Sequence, residues 1–208
     1  MIKVAAYWIA IAHLPKWGNI KINNLVKNIY SDQKISIKEF FNLSVKDWEN
    51  TFNLNKQDIE SLSTSKSEIP SDSFLAETLN NNGIELIPII STMYPQTLKN
   101  NMSELKSPTV LYTKGNIKIF LEKSVAIVGS RNANELSLKF TENIAKHASK
   151  NFKVIVSGFA KGVDKKALDS AIENNGQSII VLPQGILTFE SGFRNYYKEI
   201  LKWQFTCR

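Results

Sequence analysis

Val125-Ala126-Ile127-Val128-Gly129-Ser130-Arg131 is the stretch that decides the fold. Small and β-branched residues stop abruptly at a glycine, a hydroxyl and a guanidinium. The pattern recurs twice: Val154-Ile155-Val156 runs into Ser157-Gly158-Phe159-Ala160-Lys161-Gly162-Val163-Asp164, and residues 178–182 run into Pro183-Gln184-Gly185. Between these strands lie helical stretches. Residues 136–150 place Leu136, Phe140, Ile144 and Ala148 on one stripe. Residues 163–175 do the same with Val163, Ala167, Leu168, Ala171 and Ile172, and Gly176 suits the C-terminal cap. Residues 193–203 read as a last helix. Short apolar strands alternating with helices predict a parallel sheet covered on both faces, with right-handed connections.

Working outward, residues 1–82 read as short helices. Ile20, Ile22, Leu25, Val26 and Ile29 have helical spacing. Ser36 with Glu39 forms a capping-box signature, and Ser44-Val45-Lys46-Asp47 begins another helix. Residues 55–62 form a third helix. The serine-rich stretch 63–73 contains Pro70 and reads as a loop, and residues 73–79 form a further helix. At residue 84 the character changes: 84–90 is a strand, broken by Tyr94-Pro95, and 109–113 is another. The expected division is a small helical accessory domain at 1–82 and an α/β domain at 84–208. Within the second, residues 84–187 are expected to form a parallel three-layer unit.

Composition narrows the function. The 208 residues suffice for one ordinary domain and a smaller one, and 43% hydrophobic with 22% charged residues is a globular rather than a disordered balance. A single cysteine, Cys207, excludes an internal disulfide and a cysteine metal cluster, and two distant histidines, His13 and His147, form no zinc site or Ser-His-Asp triad. No metal or cofactor is expected, and the cytosol is the default compartment. Lys3 followed by the apolar stretch 4–12 loosely imitates a signal peptide, but one lysine and a short apolar core favour a buried first helix. No run reaches the roughly 18 apolar residues of a membrane span. The net charge of +7 lies wholly in residues 111–208, which hold 15 basic and 8 acidic residues against 11 of each in 1–110. A basic half beside a neutral half points to a polyanionic partner.

Parallel strands bring their C-terminal ends to one edge, where open α/β sheets bind ligands. There the glycines Gly129, Gly158 and Gly162 allow close backbone approach, and helix N-termini offer unpaired amides to an anion. Ser130 and Ser157 add hydroxyls, Arg131 can grip a phosphate through two parallel hydrogen bonds, and Lys161 adds a mobile charge. Phe159 offers a ring face to a base. These eight residues are the candidate phosphate and nucleic-acid site. Each also has a structural reading: glycines after strands serve tight turns, and Asp164 reads as a helix-terminus residue rather than a catalytic acid. Lys139, Lys146 and Lys150 read as a solvated helix face, His147 as a surface residue, and the apolar stripes as core.

The segment 125–131 closely resembles the first strand and phosphate loop of the DNA-processing protein A (DprA, or Smf) family. The run 156–164 resembles its second signature, where the Lys161 position is often arginine. Tyr94-Pro95-Gln96-Thr97-Leu98 and residues 107–115 also resemble family segments, in order and at suitable spacing, as do residues 176–185. The likeness spans about residues 84–187. It implies a Rossmann-like fold whose basic edge binds single-stranded DNA and helps load the recombinase RecA during natural transformation. It implies no metal and no catalytic residue, and gives Ser130, Arg131 and Lys161 the phosphate-binding role. The family's histidine four residues after the signature aspartate is Leu168 here, and the family's later strands, dimer surface and winged-helix module have no counterpart before Arg208. An incomplete sheet leaves an apolar edge and predicts self-association. Two alternatives compete: a small nucleotide-ligand module, although the Pro-Gly-Gly-x-Gly-Thr run of related phosphoribohydrolases is missing, and a fragment that has lost DNA binding.

Overall fold

The structure is a computed structural model that describes residues 2–182 and 185–188. Pro183-Gln184 and the helix expected at 193–203 lie outside the described residues. The chain divides into two compact units, Met1–Lys114 and Gly115–Arg208.

The first unit contains α1 (Ile2–Ala12), α2 (Asn19–Lys27) prolonged by a π-helical turn (Asn28–Asp32), α3 (Ile37–Asn42), α4 (Val45–Phe52), α5 (Lys56–Asn81), β1 (Ile84–Pro88), α6 (Gln96–Met102) and β2 (Val110–Lys114). The apolar N-terminal stretch is a buried helix: Ala6, Trp8, Ile9, Ala10 and Ile11 are inaccessible, and α1 packs along α5. The predicted capping box of Ser36 with Glu39 forms, and the helix expected at Ser44 opens with a second box, Ser44 with Asp47. The buried Trp48 indole donates to the Phe40 carbonyl at 3.0 Å, and Phe40 stands edge-on to Phe41 and Phe52. Asn23 ties α2 to a distant segment. Its amide donates to the carbonyls of Glu104, Leu105 and Ser107, and its carbonyl oxygen accepts from Thr109 Oγ1 at 2.8 Å.

Two expectations fail in this unit. The serine-rich stretch 63–73 is not a loop, because α5 runs unbroken for 26 residues through Pro70. Pro70 removes one helix amide, yet the serines and threonines bond back to helix carbonyls, as Ser67 to Thr64 and Ser73 to Ile69. Buried Leu62, Ser65, Ala76 and Leu79 show that packing overrides the unfavourable local composition. The strands at 84–88 and 110–114 do not join the parallel sheet. They pair antiparallel with each other, Leu86 opposite Tyr112, and belong to the first unit.

The second unit holds β3 (Ser124–Ala126), α7 (Glu135–Lys150), β4 (Val154–Ser157), α8 (Val163–Glu173) and β5 (Ser178–Ile180). The strand order is β3-β4-β5, all parallel, with Val125 opposite Ile155 and Val156 opposite Ile179. Both crossover helices pack on each other and on β4, so both lie on one face of the sheet. Successive right-handed crossovers in one direction require this. Coverage of both faces, expected from the apolar strands, is not seen among the described residues.

The core of this unit is built from small side chains. Ala145 and Ala148 of α7 meet Ala167 and Ala171 of α8 over Ile155, with Ile127 packed against them. The expected stripe of α7 is overturned: Leu136, Phe140 and Ile144 are 80%, 66% and 41% exposed, and the buried face is Thr141, Ala145, Ala148 and Ser149. Helices that approach through alanines sit too close for larger residues between them. The cap of α8 also differs from expectation. Asn175, not Gly176, takes the left-handed position (φ 54°), while the Gly176 amide donates to Ala171 at 2.7 Å. Gly176 is required by contact instead, since a Cβ there would lie 2.3 Å from Ser149 Oγ. In α7 the equivalent left-handed residue is Phe152 (φ 55°), 92% exposed.

Two expected outcomes follow from these environments. Phe152→Gly removes left-handed strain and little packing, so it should stabilise the chain by about 1 kcal/mol, read as a higher urea midpoint at unchanged slope. In the first unit burial pushes the Tyr94 and Tyr112 phenols up to about 12. A phenol raised above its unfolded value near 10 contributes stability below pH 10. That contribution should be lost as pH rises from 10 to about 12, and Tyr94→Phe should remove part of this alkaline loss in a phenolate-absorbance titration.

Candidate nucleic-acid interface

Two loops form the site at the C-terminal edge of the parallel sheet. The first, residues 127–134, follows β3, and the second, residues 158–162, links β4 to α8. The chain stitches them together. The buried Asp164 carboxylate accepts from the Gly129 amide at 3.0 Å through Oδ1 and from the Gly158 amide at 3.2 Å through Oδ2. Val163 N donates to the Ser130 carbonyl at 3.2 Å, and Ser157 Oγ donates to the Ile127 carbonyl at 2.6 Å.

The glycines serve this loop-to-loop approach. A Cβ on Gly162, at φ +91°, would lie 2.2 Å from the Ser130 carbonyl oxygen, and one on Gly129 would meet Val163 within about 3 Å. A Cβ on Gly158 would lie 2.9 Å from Asp164 Oδ2. The sequence reading assigned these glycines and amides to a phosphate. In the structure Asp164 holds the Gly129 and Gly158 amides, and carbonyls of Ser130 and Ala160 take the Val163 and Lys165 amides. Ser157 is buried with its hydroxyl on a backbone carbonyl. Asp164 stands at the helix terminus, as the sequence reading had it, and its bridge between the two loops is what that reading did not include.

What faces solvent is a ring of side chains. Arg131, Asn132, Ala133 and Leu138 line an open depression with Lys161, Gly162, Lys165, Lys166 and Asp169. Arg131, Lys161 and Ser130 are exposed, and the Ser130 hydroxyl accepts from the Asn132 amide at 3.1 Å. The structure thus brings Arg131 and Lys161 to one place, as expected, and adds Lys165 and Lys166. Lys165 pairs with Asp169 at 3.5 Å, and Lys166 with Glu142 of α7 at 2.6 Å. The hydrogen bond from Lys166 holds the Glu142 carboxyl below its usual range and raises the Lys166 ammonium. Phe159 sits in the second loop at φ +63°, a conformation that costs an aromatic residue roughly 1–2 kcal/mol and marks a strained site. Leu168, where the family pattern carries histidine, is fully buried in the core.

These features define a Rossmann-like domain with a basic, side-chain-lined strand edge, and comparison with known proteins gives its family. Residues 85–204 match the family profile described as DNA recombination-mediator protein A, and the chain belongs to that family. It is 36% identical over 102 residues to the DNA processing protein DprA of Streptococcus pneumoniae, covering 49% of this chain and 34% of that one. Similarity to DprA of Bacillus subtilis is 34% over 104 residues, 50% of this chain and 34% of the relative. Protein Smf of Escherichia coli is 30% identical over 103 residues, 50% of this chain and 27% of the relative. The matched part thus spans about a third of these relatives' length. The X-ray structure of DprA from S. pneumoniae superposes with a TM-score of 0.52 at 26% identity, over 89% of this chain and 65% of that one. None of the described helices is long and apolar enough to cross a membrane.

The Asp164 bridge gives a direct stability test. Asp164→Ala leaves two loop amides without their acceptor and should cost about 3 kcal/mol in urea unfolding. Asp164→Asn keeps one accepting oxygen and should cost roughly half as much.

Proposed function

We propose that the Arg131–Lys161 edge binds single-stranded DNA in the cytosol as a non-catalytic step of DNA processing and natural transformation. One observation carries this reading: Arg131, Lys161, Lys165 and Lys166 converge on an open depression, beside loops whose Gly129 and Gly158 amides are held by Asp164. Flexible cationic side chains on an open surface suit the repeated phosphates of a strand. A compact nucleotide cradle uses free backbone amides at a helix N-terminus, and Asp164 occupies that position here. The nucleotide-ligand alternative is therefore less well supported than the strand. Phe159, strained in the second loop, is assigned to base stacking. Membership of the recombination-mediator family supports the same reading. Loading of RecA on the bound strand belongs to the proposal, with faster RecA filament assembly in the presence of the chain as its measurement.

The decisive experiment is fluorescence-anisotropy titration of a labelled oligothymidylate at two salt concentrations. Arg131→Ala should weaken binding about equally for different sequences and flatten the salt slope by about 0.7, the value for one single-strand phosphate contact. Unchanged affinity in a folded Arg131→Ala protein, or no binding by the unaltered chain, overturns the proposal.

A further inference from the structure

The exposed flank of α7 is unusual. Leu136, Phe140 and Ile144, four residues apart, form a continuous apolar stripe open to solvent. Soluble surfaces tolerate scattered apolar residues, but a contiguous stripe marks a contact surface. Beside it, at 3.6 residues per turn, Lys139, Lys146 and Lys150 form a second exposed row. The helix dipole favours Lys150, which lies in the last turn, and Lys139 and Lys146 flank Glu142. The N-terminal end of α7 reaches the basic depression: Leu138, on another face of the helix, lines it, and the Lys166–Glu142 ion pair joins α7 to its rim.

We infer that a single strand leaving the depression runs along α7, with its phosphates on Lys139, Lys146 and Lys150 and its bases on the Leu136–Phe140–Ile144 stripe. This rests on the single-strand reading of the Arg131–Lys161 edge. A strand is amphipathic in the same sense as this helix flank: one side carries regularly spaced charge and the other carries flat apolar rings. From Lys139 to Lys150 the helix rises roughly 16 Å, enough for several nucleotides. Stacking on an exposed aromatic ring is tolerant of sequence, so the extension adds length-dependent affinity and no base preference.

The test compares two oligothymidylates, one of about six nucleotides that fills the depression alone and one of about twenty that reaches α7. The triple variant Lys139→Gln/Lys146→Gln/Lys150→Gln, checked for folding by circular dichroism, should bind the short strand as the unaltered chain does. On the long strand it should lose roughly tenfold or more, and its salt slope should fall by about 2, from three contacts. Phe140→Ala should weaken the long strand alone, by roughly fivefold or more. Equal affinity of the triple variant and the unaltered chain for the long strand overturns the track but leaves the depression intact, the outcome expected if this flank docks a protein instead. Equal losses on both strands also overturn it, because the lysines would then act as a general field. If the unaltered chain binds neither strand, the single-strand reading itself fails.

Discussion

The carboxylate of Asp164 is the interaction on which the candidate site depends. It sits in the first turn of α8, is nearly inaccessible, and accepts from the amides that close β3 and β4. A buried carboxylate is costly unless its oxygens are satisfied, and here two backbone donors and the positive end of a helix satisfy them. The same bonds fix the separation of the two loops, which Gly129, Gly158 and Gly162 then make sterically possible. The internal anion thus takes the place where many Rossmann-like folds hold a ligand's phosphate. The charged side chains that face solvent at this edge are Arg131 and the lysines around it.

The helix α7 shows a second constraint. Its contact with α8 is made by alanines, so the backbones come close and the apolar area gained per turn is small. Larger apolar residues are displaced to the other flank, next to the lysine row. The bulk that a core normally uses is therefore spent on the surface. An apolar flank is a liability in water, which makes it informative about contact. Seven of the fifteen basic residues of 111–208 lie on this helix, around the depression or at the start of α8.

The first unit is held by different means. A buried amide, Asn23, satisfies four partners across more than eighty residues of chain, and a cluster around Trp48 and Phe40 closes the helices. Hydrogen bonds of this kind specify one arrangement, since any other would leave the buried amide unpaired. The ladder between β1 and β2 belongs to this architecture, although the family profile begins inside β1. Family boundaries in sequence and compact units in space are thus different divisions of the chain.

The parallel order of β3, β4 and β5, the helices between them, and the convergence of Arg131 and Lys161 were legible from local pattern. Alternation of short apolar runs with helical spacing admits few topologies, and parallel strands must gather their ends at one edge. The Ser36–Glu39 capping box was legible for the same reason, because its partners are three residues apart. Only the tertiary structure decided which face of α7 is buried, whether α5 continues through Pro70, and with what β1 and β2 pair. Those outcomes depend on partners distant in sequence: Ala167 and Ala171 for α7, α1 for α5, and each strand for the other. The role of Asp164 belongs with them, since its bond to Gly129 spans 35 residues and no local spacing encodes it.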